Sequence, residues 1–229
     1  MKLAIVIPVF NEGVVIRELI ESLPKKIDGI DKIVVIAVND GSTDNSSDEI
    51  RKTKALLVEH PINMGAGAAT VTGLEAASKI GADLAITLDG DGQHDPKDIQ
   101  KLVKPILQNR ADLVIGVRSQ KSSQMPAIKK IGNAGLNLIT YALSRTWTTD
   151  SQSGFKCFSR EAIDKLEVEG FGYEFCSEII MEAKRKNIRI AEVPISVIYS
   201  EYSKKKGQSI FNGTNIVLKL LFKKLTKSL

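Results

Sequence analysis

Through its first half the chain alternates short runs of Ile, Val, Leu and Ala with polar, helix-patterned segments, one pair every roughly 30 residues. Runs at residues 2–9, 32–38, 55–59, 84–88 and 112–117 predict five strands. Asn11 is placed to cap a helix whose apolar face is Val15, Ile16, Leu19, Ile20 and Leu23. Asp44 is placed to cap a helix to about residue 52, a small-residue helix follows Gly65 over 66–80, and Asp95-Pro96 opens a helix over 96–109. This alternation predicts an α/β fold with a Rossmann-like, mostly parallel sheet flanked by helices. Such sheets bind ligands beyond the carboxyl ends of their strands. The polar stretches Asn11-Glu12, 39–44 and 89–95, and Arg118, all fall there.

The second half is less regular. Helices are expected over 125–143, 160–166 (capped by Ser159) and 174–186, and strands over 155–158 and 189–199. Pro194 interrupts the last strand and argues for an edge or a strand end.

The loop after the fourth strand reads Asp89-Gly90-Asp91-Gly92-Gln93-His94-Asp95. Two carboxylates one residue apart suit a hard divalent cation, and Mg²⁺ commonly joins one or two carboxylates to substrate phosphates. The plainer alternative is a solvated acidic turn. Neither G-x-G-x-x-G after the first strand nor G-x-x-x-x-G-K-[ST] is present. Phosphate charge must then be met by a metal and by basic side chains.

The 229 residues, 43% of them hydrophobic, suffice for one large domain. Cys157 and Cys176 have no metal or disulfide spacing and read as reduced thiols of a cytosolic protein. The apolar start is too short for a signal peptide or membrane span. The net charge of +5 is local: residues 203–229 hold seven lysines and no acid, and the remainder has 25 basic against 27 acidic residues, a net of −2. Val217, Leu218, Leu221, Phe222, Leu225 and Leu229 fall on one helical face, with Lys219, Lys223 and Lys227 on another. Residues 210–229 thus read as a C-terminal basic amphipathic helix, suited to a membrane interface or to packing on the domain. The expected location is cytoplasmic and peripheral, on the cytoplasmic face of a membrane, through its surface or a membrane partner protein.

Five motifs together resemble a known family: Ile7-Pro8-Val9-Phe10-Asn11-Glu12, Asn39-Asp40-Gly41-Ser42-Thr43-Asp44, Asn63-Met64-Gly65-Ala66-Gly67, Asp89-Gly90-Asp91-Gly92-Gln93-His94 and Asp150-Ser151-Gln152-Ser153-Gly154-Phe155. Their order is similar to that of the inverting family-two glycosyltransferases of GT-A fold. Within them, the similar group is the dolichyl- or polyprenyl-phosphate sugar synthases, dolichol-phosphate mannose synthases among them. The resemblance implies a catalytic domain over 1–209, with a nucleotide-sugar donor (GDP-mannose or a UDP-sugar) and a polyprenyl-phosphate acceptor. It implies that Pro8, Phe10 and Glu12 line the base and ribose pocket, and that Asp40 contacts the base. It assigns Asp89, Asp91 and Gln93 to Mg²⁺ or Mn²⁺ and the donor diphosphate. Arg118, Lys129, Lys130, Lys204, Lys206 and Ser209 would serve the acceptor phosphate, near Asp150. Three positions depart from the pattern: Asn39 replaces an acid, Lys204 an arginine, and Ile210 a closing basic residue.

The implied chemistry is displacement at an anomeric carbon. A phosphomonoester acceptor, with a second pKa of about 6, needs no general base. Asp150 is therefore open to three roles: a base, a partner that orients a basic neighbour, or a turn residue before Gly154. His94 is open to a supporting donor role, though a polar loop residue is favoured, and His60 carries no signal beyond a turn. Transfer to a sugar hydroxyl is the alternative and requires a base such as Asp150. A nucleotide- or nucleic-acid-binding module is disfavoured, because the lysine cluster lacks interleaved aromatics.

Overall fold

The computed structural model describes residues 1–118, 127–170, 172 and 174–198, with 127–131 described in backbone only. The expected C-terminal helix, Lys204, Lys206, Ser209 and the side chains of Lys129 and Lys130 lie outside the described residues.

Seven strands form one sheet in the order β3-β2-β1-β4-β6-β5-β7: β1 (Lys2–Val9), β2 (Lys32–Asp40), β3 (Leu56–His60), β4 (Leu84–Thr87), β5 (Leu113–Arg118), β6 (Lys156–Ser159) and β7 (Ile190–Ile195). All neighbours are parallel except β6, which runs antiparallel to both β4 and β5. Pro194 lies in the edge strand β7, where a missing N–H costs no ladder bond on the open side.

β1 is central and buried on both faces, which is why it reads as a continuous apolar run rather than an alternation. Leu3, Ile5, Ile7 and Val9 join the core that includes Ile16, Leu19 and Ile20 of α1 (Ile16–Ser22) and Ile99, Leu102 and Val103 of α4 (Ile99–Leu107). Ala4 and Val6 face the other way, with Ala69 and Ala77 of α3 (Ala66–Lys79). That second layer is thin. A methyl added at Gly73 would sit 2.1 Å from Val6 Cγ1, so only a glycine lets α3 approach β1 this closely. α2 (Ser46–Arg51) packs on α1, β2 and β3. In the second half α5 (Ala127–Ser144), α6 (Arg160–Lys165) and α7 (Phe175–Arg185) follow, and Phe175, Ile179 and Ile180 cover Leu113, Ile115 and Phe158.

Asp95 and Ser159 cap as expected, accepting from the N–H groups of Lys97 (3.0 Å) and Ala162 (3.2 Å). Asn11 does not cap α1. It has φ +55°, and its Oδ1 accepts from the Thr43 N–H at 2.9 Å, so the helix begins only at Ile16.

The sheet order reverses beside β1, with β2 on one side and β4 on the other. The loops after β1 and β4 therefore open onto one crevice. Because β6 is antiparallel, its leading end lies at the carboxyl ends of β4 and β5: Lys156 pairs with both Thr87 and Ile115. The strand thereby carries 150–155 to the same crevice.

Candidate active site

Two loops form the rim beyond β1 and β2. Ser42 Oγ bonds the Asn11 N–H at 2.9 Å, and Asp44 Oδ2 accepts from the Gly13 N–H at 3.0 Å. Glu12 is buried and its N–H meets Ser46 Oγ at 2.9 Å. Gly90 packs against this rim, since an added methyl would lie 2.9 Å from the Pro8 carbonyl oxygen and 3.6 Å from Glu12 Cγ. Phe10 stays 43% exposed at the mouth.

Asp40 is buried and fully engaged. It accepts from the N–H groups of Met64 (2.9 Å) and Gly65 (2.7 Å), and Oδ1 lies 2.8 Å from His60 Nδ1. His60 Nε2 in turn lies 3.0 Å from Thr72 Oγ1. His60 is thus more than a turn residue: it ties Asp40 to α3. Asn39 uses both ends of its amide, donating to Ser47 Oγ at 2.6 Å and accepting from the Ser42 N–H at 3.1 Å, while Ser47 donates onward to Glu59 at 2.7 Å.

The structure brings Asp89, Asp91, Gln93 and Glu12 to one place. Asp89 lies against Gly154, where an added methyl would fall 2.2 Å from Oδ1. Its Oδ2 is 3.0 Å from His94 Nε2. His94 is buried against the Phe155 ring at 4.9 Å, and its Nδ1 has no hydrogen-bond partner among the described residues. The favoured reading of His94 as a polar loop residue is therefore corrected: it is a buried support for Asp89. Burial opposes ionisation of Asp89, but the His94 hydrogen bond and the charges of His94, Lys156 and Arg118 hold its pKa below the usual range. Asp91 behaves oppositely. Burial, then the charges of Asp89 and Glu12, push it up to about 6, although Gln93 donates to it through its N–H (3.0 Å) and Nε2 (2.6 Å).

Among the described residues no group of three or more His, Cys, Asp or Glu is placed to hold a metal ion by itself. The donor set fits an open cation site instead. Asp89 and Asp91 supply hard oxygen donors one residue apart, and a divalent cation relieves the negative charge that adds to burial in raising the Asp91 pKa.

Arg118 and Asp150 meet in a bidentate fork. Nε and Nη2 donate to Oδ2 and Oδ1 at 2.6 Å each, and the Arg118 N–H adds 3.1 Å to Oδ2. Burial would lower the Arg118 pKa, but the hydrogen bonds and charge of Asp150 outweigh it and raise it. Asp150 is thus a buried partner that orients a basic neighbour. Its loop is pinned by Asn137, which donates to the Thr149 carbonyl (2.7 Å) and accepts from the Ser151 N–H (2.8 Å), and by Glu192, which takes Thr148 Oγ1 at 2.5 Å.

Lys156 was not legible as a site residue. It is fully buried in β6, donates to the Ser153 carbonyl, and stands 6.0 Å from the centre of the Phe175 ring. Cys157 and Cys176 are free and buried, and burial raises both thiols.

The family model described as glycosyl transferase family 2 matches residues 4–167. An uncharacterized protein of Methanocaldococcus jannaschii is 41% identical over 226 residues, spanning 96% of this chain and 91% of its own. The UDP-N-acetylglucosamine–dolichyl-phosphate N-acetylglucosaminyltransferase of Methanococcus voltae is 36% identical over 247 residues, with 98% and 97% covered. The fold is shared with glucosyl-3-phosphoglycerate synthase from Mycobacterium tuberculosis, solved with Mn²⁺, uridine diphosphate and phosphoglyceric acid. The TM-score is 0.74 at 20% identity, over 97% of this chain and 78% of that one.

Proposed function

Because this chain belongs to glycosyl transferase family 2, in its group of polyprenyl-phosphate sugar transferases with GT-A fold, we propose that it moves a sugar from a nucleotide sugar to a polyprenyl phosphate, with inversion. A UDP-sugar is the first donor to test, given the relative from Methanococcus voltae, and GDP-mannose the second.

The observation that carries the acceptor reading is the Arg118–Asp150 fork. Two guanidinium nitrogens hold Asp150, and Nη1 makes no hydrogen bond among the described residues. A fixed cation whose Nη1 makes no bond among the described residues suits a phosphate that arrives already ionised. A hydroxyl acceptor would need a free base, and Asp150 is engaged at both oxygens.

On the donor side, Glu12, Pro8 and the exposed Phe10 ring flank the base and ribose. Asp40 shapes the 63–65 loop rather than presenting a free carboxylate. Asp89, Asp91 and Gln93 would hold Mg²⁺ or Mn²⁺, which when bound neutralises the departing diphosphate as a Lewis acid. Asp89 is kept ionised by His94 and Lys156, and Gly154 leaves room for its carboxylate. An acceptor phosphate oxygen attacks the anomeric carbon from the face opposite the leaving diphosphate. The new C–O bond forms as the old one breaks, and no proton has to move.

No helix among the described residues is long and apolar enough to cross a membrane. Residues 210–229 are proposed as an interfacial appendage to a catalytic domain over 1–209. The test is a panel of UDP-N-acetylglucosamine, UDP-glucose and GDP-mannose, each with and without an isoprenyl phosphate, plus Mg²⁺ or Mn²⁺. Lipid-linked sugar from one donor supports the reading. Transfer only to sugar hydroxyls overturns it.

A further inference from the structure

Asp40 and His60 are the last residues of β2 and β3, and the two strands pair them in register. Their side chains therefore leave the sheet on one face, the face that α3 covers. Asp40 Oδ1 accepts from the Met64 N–H at 2.9 Å and Oδ2 from the Gly65 N–H at 2.7 Å. An aspartate that already takes two N–H groups acts as an acceptor, so His60 Nδ1, 2.8 Å from Oδ1, carries the hydrogen. In the neutral ring Nε2 is then the acceptor, and the Thr72 hydroxyl at 3.0 Å donates to it. Thr72 thus fixes the tautomer that Asp40 needs.

The backbone held this way runs to the mouth of the crevice. A methyl at Gly41 would fall 2.4 Å from the Ile62 carbonyl carbon and 2.5 Å from the Asn63 nitrogen, so this stretch lies flat on the end of β2. Gly65, at φ +100°, then turns the chain into α3. Beyond Gly41, Ser42 Oγ and the Thr43 N–H hold Asn11 at 2.9 Å each, next to the exposed Phe10 ring.

We propose that His60 is a positioning residue for the nucleotide: by donating from Nδ1 to Asp40 it fixes the 63–65 backbone beside the donor pocket, and donor affinity depends on that bond. The dependence rests on the transferase reading of the crevice; the hydrogen bonds do not. The two ring nitrogens can be separated by substitution. Asparagine at 60 places an amide nitrogen where Nδ1 stands, keeping the Asp40 bond and losing Thr72. Glutamine reaches the Nε2 position, keeping the Thr72 bond and losing Asp40.

Full-length wild type, His60→Asn and His60→Gln are compared by amide hydrogen exchange and by calorimetric titration with UDP and with GDP in Mn²⁺. Donor and acceptor KM are measured with the nucleotide sugar and isoprenyl phosphate that wild type turns over. In His60→Gln the Met64 and Gly65 amides should exchange about tenfold or more faster, and nucleotide Kd and donor KM should rise about tenfold or more. Acceptor KM and kcat should stay within about twofold. His60→Asn should keep exchange and donor KM within about threefold of wild type. A merely structural histidine predicts losses that follow melting temperature in both variants alike. Equal donor KM in the two variants, or an unchanged donor KM while the two amides of His60→Gln exchange faster, overturns the proposal, as does failure of both variants to fold. Nucleotide binding with the expected ranking but no sugar transfer by wild type leaves His60 in place and sinks the transferase reading. Wild type that binds neither nucleotide sinks both.

Discussion

Gly154 and Asp89 are packed so closely that a methyl group on the glycine would lie 2.2 Å from one carboxylate oxygen and 2.5 Å from the other. Only a glycine at 154 leaves room for that carboxylate where it stands. In Gly154→Ala the side chain of Asp89 must swing by more than an ångström, because the competing atoms belong to a side chain rather than to backbone. Misplacement on this scale costs about 10²-fold in turnover. We expect that loss in kcat/KM, a weaker Mn²⁺ titration, and a stability change of about 1 kcal/mol. Wild-type kinetics in a folded Gly154→Ala would show that the Asp89 position does not matter.

Asp91 supplies a pH dependence with a definite sign. Its pKa is near 3.8 when unperturbed and about 6 in the fold, so the native state holds the extra proton between those values. The stability from this group is complete below about pH 3.8 and is lost as pH rises through about 6. Without divalent cation, Asp91→Asn should therefore melt higher than wild type above pH 6, and the advantage should vanish toward pH 4. Adding Mn²⁺ should raise the wild-type melting temperature and leave the variant's unchanged, while metal-dependent turnover of the variant falls sharply. Melting curves over pH 4–8, with Mn²⁺ or with chelator, decide it; parallel curves for the two proteins would refute the assignment.

What could be read from the sequence divides by range. β1 and β4 are legible because buried parallel strands are unbroken apolar runs. The Asp95 and Ser159 caps are legible because a cap acts within three residues. Asn11 has the composition of a cap, but its amide bonds Thr43, 32 residues away, so the local signal misleads. The antiparallel insertion of β6 between β4 and β5 has no local signature at all. With it went the partnership of Asp89 with Gly154 and the burial of Lys156. The motifs named Arg118 and Asp150 separately; only the fold shows that each occupies the other.

Asn39, where the family pattern has an acid, is explained by its neighbours. Ser47 has one hydroxyl proton, which goes to Glu59, and it accepts the second bond from the Asn39 amide. An aspartate at 39 would offer no donor, would compete for that proton, and would add a buried negative charge near Glu59, whose own pKa is held down first by Ser47. Asn39→Asp should therefore lose about 1–3 kcal/mol at pH 7. The loss should shrink in acid as the new carboxyl takes up a proton and regains a donor. Urea midpoints at pH 7 and pH 5 measure both; an equally stable Asn39→Asp at pH 7 would contradict the network.

The Arg118–Asp150 fork separates a positioning carboxylate from a general base. Lysine at 118 cannot span both oxygens of Asp150 while offering a further donor to a phosphate. Arg118→Lys should thus raise the KM for an isoprenyl phosphate by about tenfold or more, with a smaller change in kcat. Asp150→Asn leaves the guanidinium short of one acceptor, and breaking such a pair costs about 3–5 kcal/mol where burial is complete. Its rate should fall because Arg118 loses its orientation. The acid limb of the kcat/KM profile should nevertheless persist, because a phosphate acceptor ionises near 6 whatever stands at position 150. Profiles from pH 5 to 9 for wild type and Asp150→Asn test this directly. A limb that survives at reduced amplitude fits an orienting Asp150; a limb that disappears with the carboxylate makes Asp150 the base and turns the acceptor from a phosphate into a hydroxyl.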